Sequence, residues 1–234
     1  MFQDLKNCIL KKNTIHIFYY NQTEKLSDEI FQQFLLQLPD SFQQDISAYK
    51  HWQSAQASLL GKILLQRAFQ QLAINYTLHD IKIGAKDRPF INEEIDFNIS
   101  HSGDYVIVAI SDFSKVGIDI EKHRILKMNV ADRYFDKMEC MNIDLSENPQ
   151  KAFFDFWSLK ESAIKCDGRG VEILSDTHVV LSDKISLSKT GKVLCDTTEF
   201  VYAFIDIEAI YSCCVCSSKD FEYNINLIQL PQLL

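Results

Sequence analysis

The stretch VGIDIEKH, residues 116–123, predicts a β-strand with one apolar face and one acidic face. Its apolar side chains alternate with Gly117, Asp119 and Glu121, and successive side chains of a strand point to opposite faces. Two carboxylates that repel each other therefore share a face with a residue that has no side chain. This acidic face needs positively charged partners, from elsewhere in the chain or from a ligand.

The stretch FFDFWSLKESAIKCDGRG, residues 153–170, predicts a long helix. Apolar residues recur every three or four positions over about 150–166, and DGRG supplies a C-terminal stop signal. Trp157, Glu161 and Lys165 lie at i, i+4 and i+8, so they share a second face of this helix. Taken alone, Glu161 and Lys165 are more simply explained as a surface ion pair.

The order of the remaining elements predicts an α+β fold rather than a strictly alternating β/α protein. A polar helix is predicted to end near Pro39, and a long amphipathic helix covers about 54–73. The predicted strands are 14–20, 96–100, 105–111, 116–121, 178–182, 184–187, 192–194, 199–206 and 211–217. One long helix accompanies several strands on each side of residues 112–116. We therefore predict two similar halves, 1–114 and 115–234.

The composition of the chain limits the classes of function that it can have. The net charge of −8, without any basic run, argues against nucleic acid as the main partner. No apolar segment approaches the roughly 18 residues that span a bilayer, and no secretory signal is recognisable, so we expect a cytoplasmic protein. The seven cysteines fit a reducing compartment. Cys213, Cys214 and Cys216 are expected to be buried strand residues rather than a metal cluster.

The stretch FNISHSG, residues 97–103, predicts a strand that ends in a polar turn able to offer backbone N–H groups to an anion. A single histidine in such a turn is more often a hydrogen-bonded residue than a ligand. Across the three stretches, Asp119, Glu121 and Glu161 can supply three oxygen ligands, which suits Mg²⁺. The candidate partners for phosphate oxygens are Arg88, His101, Lys160 and Lys165. Together they indicate phosphoryl transfer or pyrophosphate cleavage.

In this order and spacing, FNISHSG, VGIDIE and FWSLKESAIKCDGRG resemble the motifs of the 4′-phosphopantetheinyl transferases. The resemblance is to the longer, single-chain group that activates peptide synthetases and fatty-acid carrier proteins. It implies two similar α+β halves with pseudo-twofold symmetry and coenzyme A in the cleft between them, most simply as a monomer. It also implies transfer of the phosphopantetheine arm of coenzyme A to a serine of an apo acyl or peptidyl carrier protein, with release of adenosine 3′,5′-bisphosphate.

The resemblance assigns a role to each candidate residue. Asp119, Glu121 and Glu161 would hold Mg²⁺, or Mn²⁺, against the pyrophosphate, and Gly117 would leave room for the metal or ligand. Glu161, or a metal-bound water that it activates, would take the proton of the carrier serine, while Lys165 would help the bisphosphate to leave. The residues that would contact coenzyme A phosphates are Arg88, Ser100, His101, Lys160 and Lys165.

The sequence also departs from the family pattern. Ala57 stands where the family commonly has arginine, and residues 41–44 lack the usual basic side chains, so Lys50, His51 and Lys62 are the candidates to replace them. Two other functions stay open at this stage: a non-catalytic module that binds coenzyme A or a carrier protein, and an unrelated Mg²⁺-dependent phosphohydrolase. Retention of all three carboxylates and Lys165 favours the transferase.

Overall fold

The structure is a computed structural model that describes residues 13–125, 134–180 and 187–233. It has the predicted α+β class. The helices in these ranges are α1 (Asp28–Leu35), α2 (Asp40–Ser47), α3 (Trp52–Gln71), α4 (Lys137–Asp144), α5 (Pro149–Asp167) and α6 (Leu230–Leu233). The strands are β1 (Thr14–Asn21), β2 (Lys82–Ile83), β3 (Pro89–Phe90), β4 (Asp96–Ser102), β5 (Tyr105–Ser111), β6 (Val116–Lys122), β7 (Thr177–Val180), β8 (Thr190–Cys195), β9 (Thr198–Phe204), β10 (Tyr211–Ser217) and β11 (Glu222–Leu227).

Most predicted elements lie where the sequence pattern places them, and six elements were not predicted. The two long predicted helices are α3 and α5, and α5 ends at Gly168, whose φ of 89° is the left-handed conformation that glycine adopts easily. The six that were not predicted are helices α2, α4 and α6 and strands β2, β3 and β11. Pro39, predicted to end a helix, also precedes α2 as its N-cap. The predicted strand 184–187 lies mostly outside the described residues.

The strands form two main sheets and a small β2–β3 hairpin. The first sheet has the order β11-β1-β5-β4, in which β11 is parallel to β1 and the other neighbours are antiparallel. The second sheet, β6-β10-β9-β8-β7, is antiparallel throughout. Because β11 comes from the end of the chain, the predicted C-terminal half contributes its last strand to the first sheet.

Three apolar cores hold the layers together. Helix α3 buries Leu60 and Leu64 against the first sheet, and α5 buries Phe156 against the second sheet. The third core lies between the two sheets, where Ile17 of β1 and Ile118 of β6 are both fully buried. Each sheet is therefore covered by one long helix, in agreement with two similar α+β halves.

The cysteines of the described segments are free thiols. Cys213, Cys214 and Cys216 are buried in β10, and burial raises the pKa of Cys213 and Cys216 far above the ordinary value. This confirms that they are strand residues of the core. Among the helices that the structure describes, none is long and apolar enough to cross a membrane.

A ladder of side-chain hydrogen bonds joins the two sheets where β4 runs beside β6. Alternate side chains of β4 accept hydrogen bonds from alternate backbone N–H groups of β6. The pairs are Asp96 with Val116 (2.7 Å), Asn98 with Ile118 (3.0 Å), Ser100 with Ile120 (3.3 Å) and Ser102 with Lys122 (3.0 Å). Since β6 is an edge strand, these side chains satisfy N–H groups that a neighbouring strand would otherwise pair. The ladder sets the position of β6 relative to the first half.

Candidate active site

The acidic face of β6 lies against the predicted second face of α5. Lys165 donates from Nζ to Oδ1 of Asp119 at 2.6 Å, and Trp157 donates from Nε1 to Oε1 of Glu121 at 3.2 Å. Glu161 lies between these two contacts along the helix, and both strand carboxylates raise its pKa. The structure thus brings together the residues that the strand and helix patterns predicted separately.

Gly117 does not leave room for a ligand, so that prediction is wrong. A Cβ at this position would overlap the carbonyl oxygen of Ser162 and the backbone nitrogen of Cys166, both in α5. The backbone of α5 fills the space that the missing side chain leaves. The absence of a side chain allows the helix to approach the strand closely, which brings Glu161 and Lys165 to Asp119.

Asp119 is the most buried carboxylate of the site, with 4% of its surface exposed. Its Oδ1 accepts from Ser100 Oγ at 2.9 Å and from Lys165. Its Oδ2 is buried and has no hydrogen-bond partner in the described part of the chain. A buried carboxylate oxygen without a partner is costly, so this atom marks the place where an additional positive charge would be stabilised.

The pKa values of the other two carboxylates, Glu121 and Glu161, are both raised. Burial is the main cause that raises the pKa of Glu121, and the negative charge of Asp119 raises it further. The positive charge of Arg124 partly offsets this increase. Burial and Asp119 also raise the pKa of Glu161 to about 7, with Lys165 acting in the opposite direction. Three carboxylates in one place exceed the charge that Lys165 can neutralise. A divalent cation therefore fits the chemistry of this donor set.

A second group of potential metal ligands lies elsewhere, at the start of α4. The ligand atoms of Asp136, Glu139 and His178 all lie within 4.8 Å of one another, and no other group of three in the described ranges is this compact. Its oxygens already have partners, however. Asp136 caps the helix through two backbone N–H groups and contacts His178. Glu139 accepts from the backbone N–H of Val179 and pairs with Lys160. This group is explained as a helix cap.

Lys160 is not part of the carboxylate cluster. Its side chain is 1% exposed, and its Nζ lies 2.6 Å from Oε2 of Glu139 and donates to the carbonyl oxygen of Tyr134 at 3.0 Å. The ammonium group also lies over the ring of Phe135. Lys160 therefore forms a buried ion pair with Glu139 that joins α5 to α4. This position does not support the predicted contact with a phosphate of coenzyme A.

The guanidinium of Arg88 likewise makes its hydrogen bonds within the protein. It forms a two-pronged ion pair with Asp96, at 2.9 and 2.8 Å. It also donates to the carbonyl oxygens of Lys165 at 3.0 Å and Val116 at 3.1 Å. Arg88 therefore ties β4, β6 and the end of α5 together. Its predicted contact with phosphate receives no support from this arrangement.

His101 lies within electrostatic reach of Asp119, Lys165 and Lys62. His101 lies at the end of β4 and is exposed at the surface, while partial burial of its ring and the charges of Lys165 and Lys62 lower its pKa. Lys62 of α3 is half-buried, donates to Ser58 and lies over the ring of Phe42. Among the candidate replacements for an arginine at Ala57, Lys62 is the one that acts electrostatically on the predicted site; Lys50 and His51 are exposed.

Ser100 lies inside the cluster, as predicted, and its hydroxyl is fully used. It donates to Asp119, and it accepts from the backbone N–H of Ile120 and from Lys165 at 3.3 Å. The remaining ladder residues, Asp96, Asn98 and Ser102, were not predicted to have any role. Their signal was present in the sequence as a polar residue at every second position from 96 to 102, in register with the alternation of β6.

The fold and the site together define an α+β protein of two helix-covered sheets with a carboxylate and lysine cluster at their junction. A sequence model described as the 4′-phosphopantetheinyl transferase superfamily matches residues 115–216. A second, described as the N-terminal domain of 4′-phosphopantetheinyl transferase, matches residues 25–112. The boundary between these matches lies within the region where the sequence predicted the two halves to meet.

Three curated proteins illustrate the similarity. The 4′-phosphopantetheinyl transferase ffp of Bacillus subtilis is 31% identical over 80% of this chain and 85% of its own length. The 4′-phosphopantetheinyl transferase Sfp of B. subtilis strain 168 is 28% identical over 89% of this chain and 95% of its own. The gsp transferase of Aneurinibacillus migulanus is 35% identical over 56% of each. This chain belongs to the 4′-phosphopantetheinyl transferase superfamily, and the predicted resemblance is confirmed.

Proposed function

We propose that this enzyme transfers the 4′-phosphopantetheine arm of coenzyme A to a serine of an apo acyl or peptidyl carrier protein, in a reaction that depends on Mg²⁺. Membership of the superfamily supports the reaction class. One observation supports the assignment to particular residues: Lys165 donates to Asp119, and both charges act on the pKa of Glu161, at the junction of the two halves.

In this proposal the serine oxygen attacks the phosphorus that carries the pantetheine arm. The bond from that phosphorus to the bridging oxygen breaks, and adenosine 3′,5′-bisphosphate leaves. Glu161, or a metal-bound water that it activates, is the base for the serine proton, since its carboxylate lies beside Asp119 and Lys165 in the cluster. Lys165 stabilises negative charge on the leaving group.

Asp119, Glu121 and Glu161 would hold the divalent cation, Mg²⁺ or Mn²⁺. The unpartnered Oδ2 of Asp119 and the raised pKa values of the two glutamates support this assignment. When bound, the cation would neutralise charge on the pyrophosphate. His101 and Lys62 would contact phosphates of coenzyme A, because both carry nitrogen donors.

We also propose that the protein acts in the cytoplasm as a monomer. The free thiols of its described cysteines suit a reducing compartment. Two fused halves complete the junction site within one chain.

The test is to incubate the purified protein with coenzyme A, Mg²⁺ and a panel of apo carrier proteins, and to weigh the carriers by mass spectrometry. We expect one carrier to gain one phosphopantetheine arm. Glu161→Ala should lower the rate by about 10²–10⁴-fold, the usual contribution of a general base. Glu147→Ala is the matched control, since Glu147 is exposed in the turn before α5.

Each other outcome points to a different function. Binding of coenzyme A without transfer to any carrier would indicate a non-catalytic binding module. Cleavage of coenzyme A in the absence of a carrier would indicate a phosphohydrolase. Equal rates for Glu161→Ala and the wild type would remove Glu161 from the mechanism while leaving the reaction class intact.

A further inference from the structure

Ser102, the last residue of β4, contacts both the backbone and a carboxylate of β6. Its Oγ donates to Oε2 of Glu121 at 3.1 Å and accepts from the backbone N–H of Lys122 at 3.0 Å. A backbone N–H can only donate, so the hydroxyl oxygen must act as acceptor there. The single hydroxyl hydrogen is then left for the carboxylate. The direction of the Ser102 hydroxyl is thus set by the backbone of β6.

The same arrangement occurs two residues earlier in each strand. Ser100 donates to the carboxylate of Asp119 at 2.9 Å and accepts from the backbone N–H of Ile120 at 3.3 Å. In both cases the serine hydroxyl accepts from the backbone N–H of one residue of β6 and donates to the carboxylate of the residue before it. The repeat follows from the period of two that β4 and β6 share.

Glu121 is held at its other oxygen as well. Trp157 donates to Oε1 at 3.2 Å, and its indole ring packs between aromatic neighbours, stacked on Phe153 with an interplanar angle of 5° and edge-on to Tyr134. Arg124, which is exposed, lies 3.4 Å from Oε2. A strand of the first half and a packed aromatic ring of α5 therefore fix the carboxylate of Glu121 from two directions.

We propose that Ser102 is a positioning residue that aims the carboxylate of Glu121 into the cation site, so that the first half of the protein sets the geometry of ligands carried by the second half. Trp157 fixes the second oxygen. This inference rests on the proposed function, because it requires Glu121 to be a ligand of the cation. Hydrogen-bond donors behind metal ligands commonly change metal affinity when they are removed.

The experiment measures Mn²⁺ binding by electron paramagnetic resonance of the free ion, in the presence of saturating coenzyme A. Ser102→Ala should weaken Mn²⁺ binding about tenfold, the lower end of what such outer partners contribute. Ser102→Thr keeps a hydroxyl and should bind nearly as the wild type does. Ser218→Ala is the matched control, because Ser218 Oγ also accepts a backbone N–H, that of Lys115, but within the described ranges it donates to no carboxylate. It should bind Mn²⁺ as the wild type does.

Thermal unfolding of each variant separates positioning from a general loss of structure. If Ser102→Ala fails to fold, Trp157→Phe removes the donor to Oε1 of Glu121 without touching the ladder and should also weaken Mn²⁺ binding. A lower unfolding temperature with unchanged Mn²⁺ affinity in these variants would overturn the positioning role. If the wild type does not bind Mn²⁺, the proposed cation site is wrong and this inference is wrong with it. That outcome is seen before any variant is compared.

Discussion

The Cα of Gly117 in β6 faces the carbonyl oxygen of Ser162 in α5 at a separation that leaves no space for a Cβ. This contact sets the distance between the strand that carries Asp119 and the helix that carries Glu161 and Lys165. Close approach of a helix to a strand is one of the roles that only glycine can fill. The candidate active site thus depends on a residue that takes no part in its chemistry.

Gly117→Ala should therefore destabilise the protein by about 3 kcal/mol, because overpacking costs roughly 1–3 kcal/mol and the overlapping atoms here belong to backbone that cannot rotate away. Thermal unfolding measures the loss. Gly61→Ala is the control: its new Cβ would meet side-chain methyl groups rather than backbone, those of Ile99 at 2.9 Å and Val106 at 3.6 Å, and alanine favours the helix. Equal stability of the Gly117 variant and the wild type would mean that α5 packs less closely than the structure shows.

The side-chain ladder between the sheets makes a second prediction. Asn98 is buried and its Oδ1 accepts from the backbone N–H of Ile118 at 3.0 Å. Asn98→Ala leaves that buried N–H without a partner and should cost about 1–3 kcal/mol in the free energy of unfolding. Asn21→Ala is the comparison, because Asn21, at the end of β1, accepts from the backbone N–H of Thr23 in an exposed hydrogen bond. Similar small losses in both variants would show that water replaces the ladder bond.

Arg88 gives a third prediction, which separates a structural from a coenzyme-binding role. Arg88→Lys cannot reproduce the two-pronged contact with Asp96 and the bonds to two carbonyl oxygens, so we expect a loss of about 2 kcal/mol in stability. Lys86→Ala should change stability by less than about 1 kcal/mol, because its pair with Glu172 is exposed. Full stability of Arg88→Lys, combined with weaker coenzyme A binding, would restore the sequence-based assignment.

Local periodicity predicted the parts of the site that belong to single elements. The period of two identified the acidic face of β6, and the helical spacing identified Trp157, Glu161 and Lys165 as one face of α5. These patterns are visible because an element that is buried on one side has apolar residues at regular intervals in the sequence. That the two faces meet was a hypothesis from the chemistry of the carboxylates, which the family resemblance then supported, since no local pattern reports how distant segments pack.

Long-range packing also explains where the structure departs from the sequence pattern. Lys160 and Arg88 were predicted to contact phosphate because of their charge; the structure pairs them with Glu139 and Asp96, and their phosphate contacts stay predictions. The space beside Gly117 was interpreted as a ligand site because the sequence does not show which backbone fills it. Helix α4 was missed because its eight residues carry little amphipathic signal, and its N-cap Asp136 and Glu139 form a capping box that had to be recognised instead.

The last prediction concerns the pH dependence of stability in the metal-free protein. Glu161 has an ordinary pKa of 4.5, and burial beside Asp119 raises its pKa to about 7 in the folded state. Between these values the folded protein retains a proton that the unfolded chain has released. The contribution of Glu161 to stability is therefore present below about pH 4.5 and is lost as the pH rises through about 7.

Glu161→Gln removes this titration while keeping the shape of the neutral side chain. In the presence of a chelator, the variant and the wild type should have similar unfolding temperatures near pH 5, and the variant should become the more stable of the two toward pH 8. The difference between the two proteins cancels the titrating groups on which Glu161 does not act, His101 among them. Glu147→Gln should track the wild type throughout, because Glu147 is exposed. A constant difference between Glu161→Gln and the wild type across this range would mean that Glu161 is already ionised at pH 5 and that its neighbours do not act on it.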